Sequence, residues 1–112
     1  MAAFDTAFTP KSLAPANTTE AALFTAGTDS TSTQDVSCLV DVANIGTGAI
    51  AVRVGIKPSG GSTHWKLYDI DVPVGSSLLS IGPWFLQSGD AVQVRTDTAN
   101  DAVFSITGVE SS

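Results

Sequence analysis

From residue 21 onward, apolar and polar side chains alternate along the chain with a period of two, the pattern of half-buried strands. The clearest run is Ala49–Lys57, where Ile50, Val52, Val54 and Ile56 oppose Arg53 and Lys57. In Asp35–Ala43, Val36, Cys38, Val40 and Val42 face one way, and Asp35, Ser37 and Asp41 the other. Ala91–Asp97 sets Val92, Val94 and Thr96 against Gln93, Arg95 and Asp97, and Ala102–Val109 places Phe104 and Ile106 inward. In His64–Val72, Tyr68, Ile70 and Val72 share a face opposite Asp69 and Asp71, while Trp65 and Leu67 fall out of phase. That break predicts a bulge or a sheet edge. Shorter strands are expected at Ala22–Thr25 and Ser77–Ile81, the second broken by Gly82-Pro83. The expected core comprises Val40, Val42, Val52, Val54, Val94 and Phe104.

Turn chemistry separates these runs every 8–12 residues or so, and no window has helical periodicity. Asn44–Gly48 reads as a hairpin turn, Pro58–Ser62 as a loop, and Thr98–Asp101 as a further hairpin turn flanked by Asp97 and Asp101. The fold class is therefore all-β: an antiparallel β-sandwich or jelly roll of seven or eight strands. Residues 1–20 differ. They carry Pro10 and Pro15 among small polar residues, with isolated apolar side chains at Phe4, Phe8 and Leu13. Prolines fix φ and remove donors, so this segment is expected as an extended N-terminal arm ahead of a sandwich domain at 21–112. Phe4, Phe8 and Leu13 then serve as anchors on a partner. The other reading is that the arm pairs as a strand with its own sheet.

Composition narrows the function. The chain has 112 residues, enough for one domain with a real core, and 43% of them are hydrophobic against 14% charged. Its net charge is −6, and its cations (Lys11, Arg53, Lys57, Lys66, Arg95) are scattered, which disfavours a phosphate backbone as partner. Cys38 is the single cysteine and sits among valines, where a thiol behaves as a small hydrophobe. No stretch approaches the roughly 20 apolar residues of a membrane helix. The first residues lack the basic and apolar regions of a signal peptide, so the expectation is a product made in the cytoplasm and not exported by that route.

The search for chemistry yields little. His64 is the only histidine, beside a Gly-rich loop, and no Gly-x-Ser-x-Gly elbow occurs. One Cys and one His cannot complete a zinc site. Asp69 and Asp71, at i and i+2, share a strand face and are the only carboxylate pair worth weighing for calcium or glycoside chemistry, yet such pairs are ordinarily a solvated face. Gly60-Gly61 lacks the Lys-Ser/Thr of a phosphate loop. Trp65, Tyr68 and Trp84 could form a platform for sugar rings. Alternatively, Trp84 and Phe85 cap the core and Trp65 lies in an interface. No catalytic residue, cofactor site or metal site is expected. The expected partner-binding residues are Phe4, Phe8, Leu13, Trp65 and Trp84.

The stretch from Leu23 to Glu110 resembles small β-sandwich virion structural proteins of tailed bacteriophages. The resemblance is carried by Leu23-Phe24-Thr25-Ala26, Val42-Ala43-Asn44-Ile45-Gly46, Val52-Arg53-Val54-Gly55-Ile56 and Pro58-Ser59-Gly60-Gly61. It continues through Asp71-Val72-Pro73-Val74-Gly75, Ser88-Gly89-Asp90-Ala91-Val92-Gln93-Val94 and Ile106-Thr107-Gly108-Val109-Glu110. It implies a non-enzymatic particle subunit located in the virion, without cofactor, nucleic acid or membrane as partner. A capsid decoration (cement) protein, touching the major capsid protein and copies of itself as a homo-oligomer, is the first expectation. A tail, neck or baseplate subunit is the second, and a carbohydrate-binding sandwich the third.

Overall fold

The interior strands follow directly from the alternation. In Asp35–Asn44 the even positions Val36, Cys38, Val40 and Val42 are 0–1% exposed, and in Ile50–Lys57 so are Ile50, Val52 and Val54. Val94 and Phe104 complete the expected core at 0%. The computed structural model describes residues 4–30 and 35–111, for residues 4 and 5 the backbone alone.

In chain order the strands are β1 (Phe4–Ala7), β2 (Lys11–Leu13), β3 (Ala21–Thr25), β4 (Asp35–Asn44), β5 (Ile50–Lys57), β6 (His64–Val72), β7 (Ser77–Gln87), β8 (Ala91–Thr96) and β9 (Ala102–Ser111). One sheet has the order β1-β9-β4-β7, with β2 also pairing β9, and the other has the order β3-β8-β5-β6. Every pairing is antiparallel. When β1 and β2 are taken as two halves of one interrupted strand, this is the eight-strand order of a jelly roll, which settles the choice between the two expected sandwich types.

The topology corrects two turns. Asn44–Gly48 and Thr98–Asp101 were expected as hairpins, yet each carries the chain from one sheet to the other, since β4 and β5 do not pair and neither do β8 and β9. The crossing at 44–48 is built by Asn44, which is buried. Its amide donates to the carbonyls of Gly48 (2.8 Å) and Val72 (2.9 Å), and its carbonyl accepts from Gly46 N (2.9 Å). Asp97 likewise bonds beyond its own turn, accepting from Ala51 N on β5 at 3.0 Å. Only β5 and β6 form a hairpin of consecutive strands among the described residues.

The N-terminal arm is corrected as well. Residues 4–13 are part of the first sheet, along β9: Ala7 faces Val109, and Lys11, Ser12 and Leu13 face Ile106, Ser105 and Phe104. Phe8, between the two short strands, is 4% exposed and lies against Phe24 with ring centroids 4.6 Å apart. Leu13 packs on the same core. Gly108 makes room for this: a Cβ there would collide with the Ser37 carbonyl and approach Phe8 Cε2 to 2.8 Å. Beyond β2, Pro15 is buried and its carbonyl accepts from Asn100 N at 2.8 Å. Phe8 and Leu13 are therefore committed to this protein's own core rather than to a neighbour. The Phe4 side chain lies outside the described residues.

Candidate interaction surface

Both sheets end, on one lateral side, in strands that break the alternation. The second half of the chain pairs β7 against β4 with register shifts between Cys38 and Val40 and between Val40 and Val42. Each shift adds a residue to β7, so its inward side chains fall at Leu78, Ile81, Trp84 and Leu86 instead of at every second position. Ser80, with φ 55°, sits at one bulge, its N–H donating to Asp41 Oδ1 at 2.6 Å. Gly82 sits at the other with φ 127°, where a Cβ would come within 2.9 Å of the Cys38 carbonyl oxygen. This also corrects the expected end of the strand at Gly82-Pro83. As an edge strand, β7 needs no N–H from Pro83 on its open side, and it runs on to Gln87.

The consequence is an apolar surface. Leu79 is 71% exposed and Phe85 68%, so Phe85 does not cap the core as expected, although the half-buried Trp84 does. Tyr68 and Ile70 on β6 are also exposed, as are Val74 in the turn after it and Ile45, which neighbours that turn through the bond from Asn44 N to Ser76 O. Between the edges of β6 and β7 lies a groove of about 410 Å³ lined by Ile56, Pro58, His64, Lys66, Pro83, Trp84 and Phe85. His64 and Lys66 are the polar members of this lining.

A second cluster occupies the outer face of the β3-β8-β5-β6 sheet. The bulge expected in β6 is present twice: Val52 faces Ile70 while Val54 faces Leu67, and Gly55 already faces Trp65. Arg53, opposite the first bulge, donates from Nε to Asp69 Oδ1 (2.7 Å) and from Nη2 to Asp69 Oδ2 (3.2 Å). Its guanidinium lies 3.9 Å from the Tyr68 ring centroid and 5.9 Å from that of Trp65. The rings of Trp65 and Tyr68 meet edge to face at 6.4 Å. Hydrogen bonding from Arg53 holds the Asp69 carboxyl below its ordinary value, with Arg95 adding to the same field.

The residues singled out in the sequence thus separate. Trp65 and Tyr68 are together on the outer sheet face, whereas Trp84 belongs to the β7 edge, so the three do not form one platform. Asp69 spends both carboxylate oxygens on Arg53 and does not act as a pair with Asp71. Among the described residues no three His, Cys, Asp or Glu side chains are grouped to hold a metal. Cys38 is buried, and desolvation pushes its thiol up to about 12. Sequence reasoning passed over Leu79 and Arg53. The out-of-phase Trp65 and Leu67 were the signal that could have led to Arg53, because a bulge must face some residue of the neighbouring strand.

No family model matches the chain, and neither does any curated protein. Solved structures are similar to it at low sequence identity. The VP2 subviral particle protein of infectious bursal disease virus is 13% identical over 92% of this chain and 30% of its own, with a TM-score of 0.45. The Eiger TNF of S. frugiperda is 13% identical over 70% of this chain and 60% of its own, with a TM-score of 0.39. The CBM22-1–GH10 modules of Clostridium thermocellum xylanase 10B, solved with xylohexaose, are 13% identical over 97% of this chain and 27% of their own, also at 0.39. The chain spans less than a third of the length of the VP2 and xylanase chains.

Proposed function

We propose that this chain is a non-enzymatic structural subunit of a tailed-phage particle, a decoration protein that docks on the outer surface of the capsid. The observation that carries the proposal is the exposure of large apolar side chains (Ile70, Leu79, Phe85) on the edge strands β6 and β7, beside an apolar groove. Exposed apolar surface at a sheet edge invites pairing with another chain. The bulges at Ser80 and Gly82 restrict how it can be met, which suits a defined neighbour better than open-ended stacking. The sequence resemblance to phage virion proteins supplies the identity of that neighbour: the major capsid protein, or further copies of this chain.

Charge supports an exterior position. With a net charge of −6, and with Lys11 and Arg53 paired to Asp29 and Asp69, the protein is a poor lining for packaged DNA. The jelly roll alone does not decide, since the same architecture serves viral capsid and lectin domains. The test is to tag the chain and image purified particles. Density on the outer shell at symmetric positions supports decoration. Density confined to the tail or neck replaces it with a tail role, and absence from purified particles overturns both.

A further inference from the structure

We propose that the outer face of the β3-β8-β5-β6 sheet is a binding site for a neutral pyranose glycan, centred on Trp65, Tyr68, Arg53 and Asp69. Side chains three apart on a regular strand point to opposite faces. The register shift in β6 between Trp65 and Leu67 puts Trp65 and Tyr68 on one face, and the bulge between Leu67 and Ile70 sets both Tyr68 and Asp69 opposite Arg53. Holding that bulge puts Asp69 at φ 54°, a conformation uncommon outside glycine, and both oxygens of its carboxylate are fastened to Arg53. Arg53 in turn sits over the Tyr68 ring. The rings and the planar ion pair are thereby set in place before any ligand arrives, which lowers the ordering cost of binding.

The chemistry of this cluster matches a sugar. A pyranose ring has an apolar C–H face that lies against aromatic rings, and a rim of hydroxyls that both donate and accept. Trp65 and the largely exposed Tyr68 offer the first surface. The Arg53 N–H groups left over from the ion pair, and the second lone pairs of the Asp69 oxygens, offer donor and acceptor side by side. Charge selects the class. Arg53 and its neighbour Arg95 are countered by Asp69, Asp71 and Asp97 in the same and the next row, so the face offers no cationic patch for an acidic polymer.

The experiment titrates the full chain with neutral oligosaccharides of β-1,4-glucose, β-1,4-mannose, β-1,4-N-acetylglucosamine and α-1,4-glucose, with polygalacturonate as the acidic control. Tryptophan fluorescence and the amide, indole and Arg Nε resonances report binding. Saturable shifts at Trp65 and Arg53 with a neutral sugar are expected. Tyr68→Ala, at an exposed position, should weaken binding by about tenfold or more, and Asp69→Asn should weaken it with the rings left in place. Silence from every neutral sugar, a response to polygalacturonate alone, or full affinity in Tyr68→Ala would overturn the proposal. Leu79→Glu separates this site from the particle-docking surface: it should reduce particle occupancy and leave the sugar titration unchanged.

Discussion

On one lateral side of the sandwich, Phe8 fills the space between the sheets, tilted against Phe24 and 4% exposed, with β1, β2 and β3 around it. On the other side, β6 and β7 leave a groove of about 410 Å³, and Leu79 and Phe85 turn outward. Both sides are built from edge strands with irregular pairing. The difference is where the extra residues put the apolar side chains. At β1–β2 the interruption turns one large ring inward, over Gly108, and seals the core. At β7 the two bulges space the inward side chains three apart at Leu78, Ile81 and Trp84, Leu79 and Phe85 face outward, and the side stays open. Irregularity in an edge strand can therefore either finish a core or withhold side chains from it. The side it leaves open is where function is to be sought.

The largest test of this contrast is on the sealed side. Phe8→Ala removes a buried aromatic ring and should cost about 3–5 kcal/mol in denaturant unfolding. A cost under about 1 kcal/mol would mean that residues 4–13 are an appendage after all. Val54→Ala, in the regular interior, should cost about 1–3 kcal/mol, which sets the scale for a position that both sides share. On the open side, Leu79→Ser should change stability by less than about 0.5 kcal/mol while lowering particle occupancy. A loss as large as that of Val54→Ala would show Leu79 to be packed, and the open side closed.

The smallest expected effect is spectroscopic. Arg53 lowers the Asp69 carboxyl in the folded protein, so the pair's contribution is present above the ordinary carboxylate range of about 4 and lost as pH falls through the lower folded value. Tyr68 and Trp65 signals, together with Arg53 Nε, should titrate below that range. A midpoint at or above it would mean that the Arg53–Asp69 contact does not hold in solution, which would also remove the preorganisation argued for the outer face.

Most of the interior was legible in the chain. Val36 to Val42 and Ile50 to Val54 alternate without interruption and are buried on cue, because an interior strand has a neighbour on each side and no freedom to slip. The candidate surfaces were legible only as disturbances: Trp65 and Leu67 out of step, and Gly82-Pro83 in what reads as a break. Phe85 was misplaced because the strand was expected to end at Gly82-Pro83, whereas it runs on and alternates regularly there, Trp84 and Leu86 inward and Phe85 outward opposite Ser37.

What alternation and turn residues settled was local: which segments are strands, which of their faces are apolar, and the all-β class. Those features depend on backbone geometry and side-chain polarity within a few residues. Pairing between distant segments settled the rest. Asn44–Gly48 and Thr98–Asp101 have hairpin chemistry but cross between sheets, because β4 finds its partners in β7 and β9. Residues 4–13, expected first as an extended arm and second as a strand, pair with the sheet because β9 offered an open edge and Gly108 a seat for Phe8. Arg53 gained Tyr68, Trp65 and Asp69 only when β6 bulged against β5. An edge, a seat and a bulge each belong to two segments at once, so none of them can be read from either segment alone.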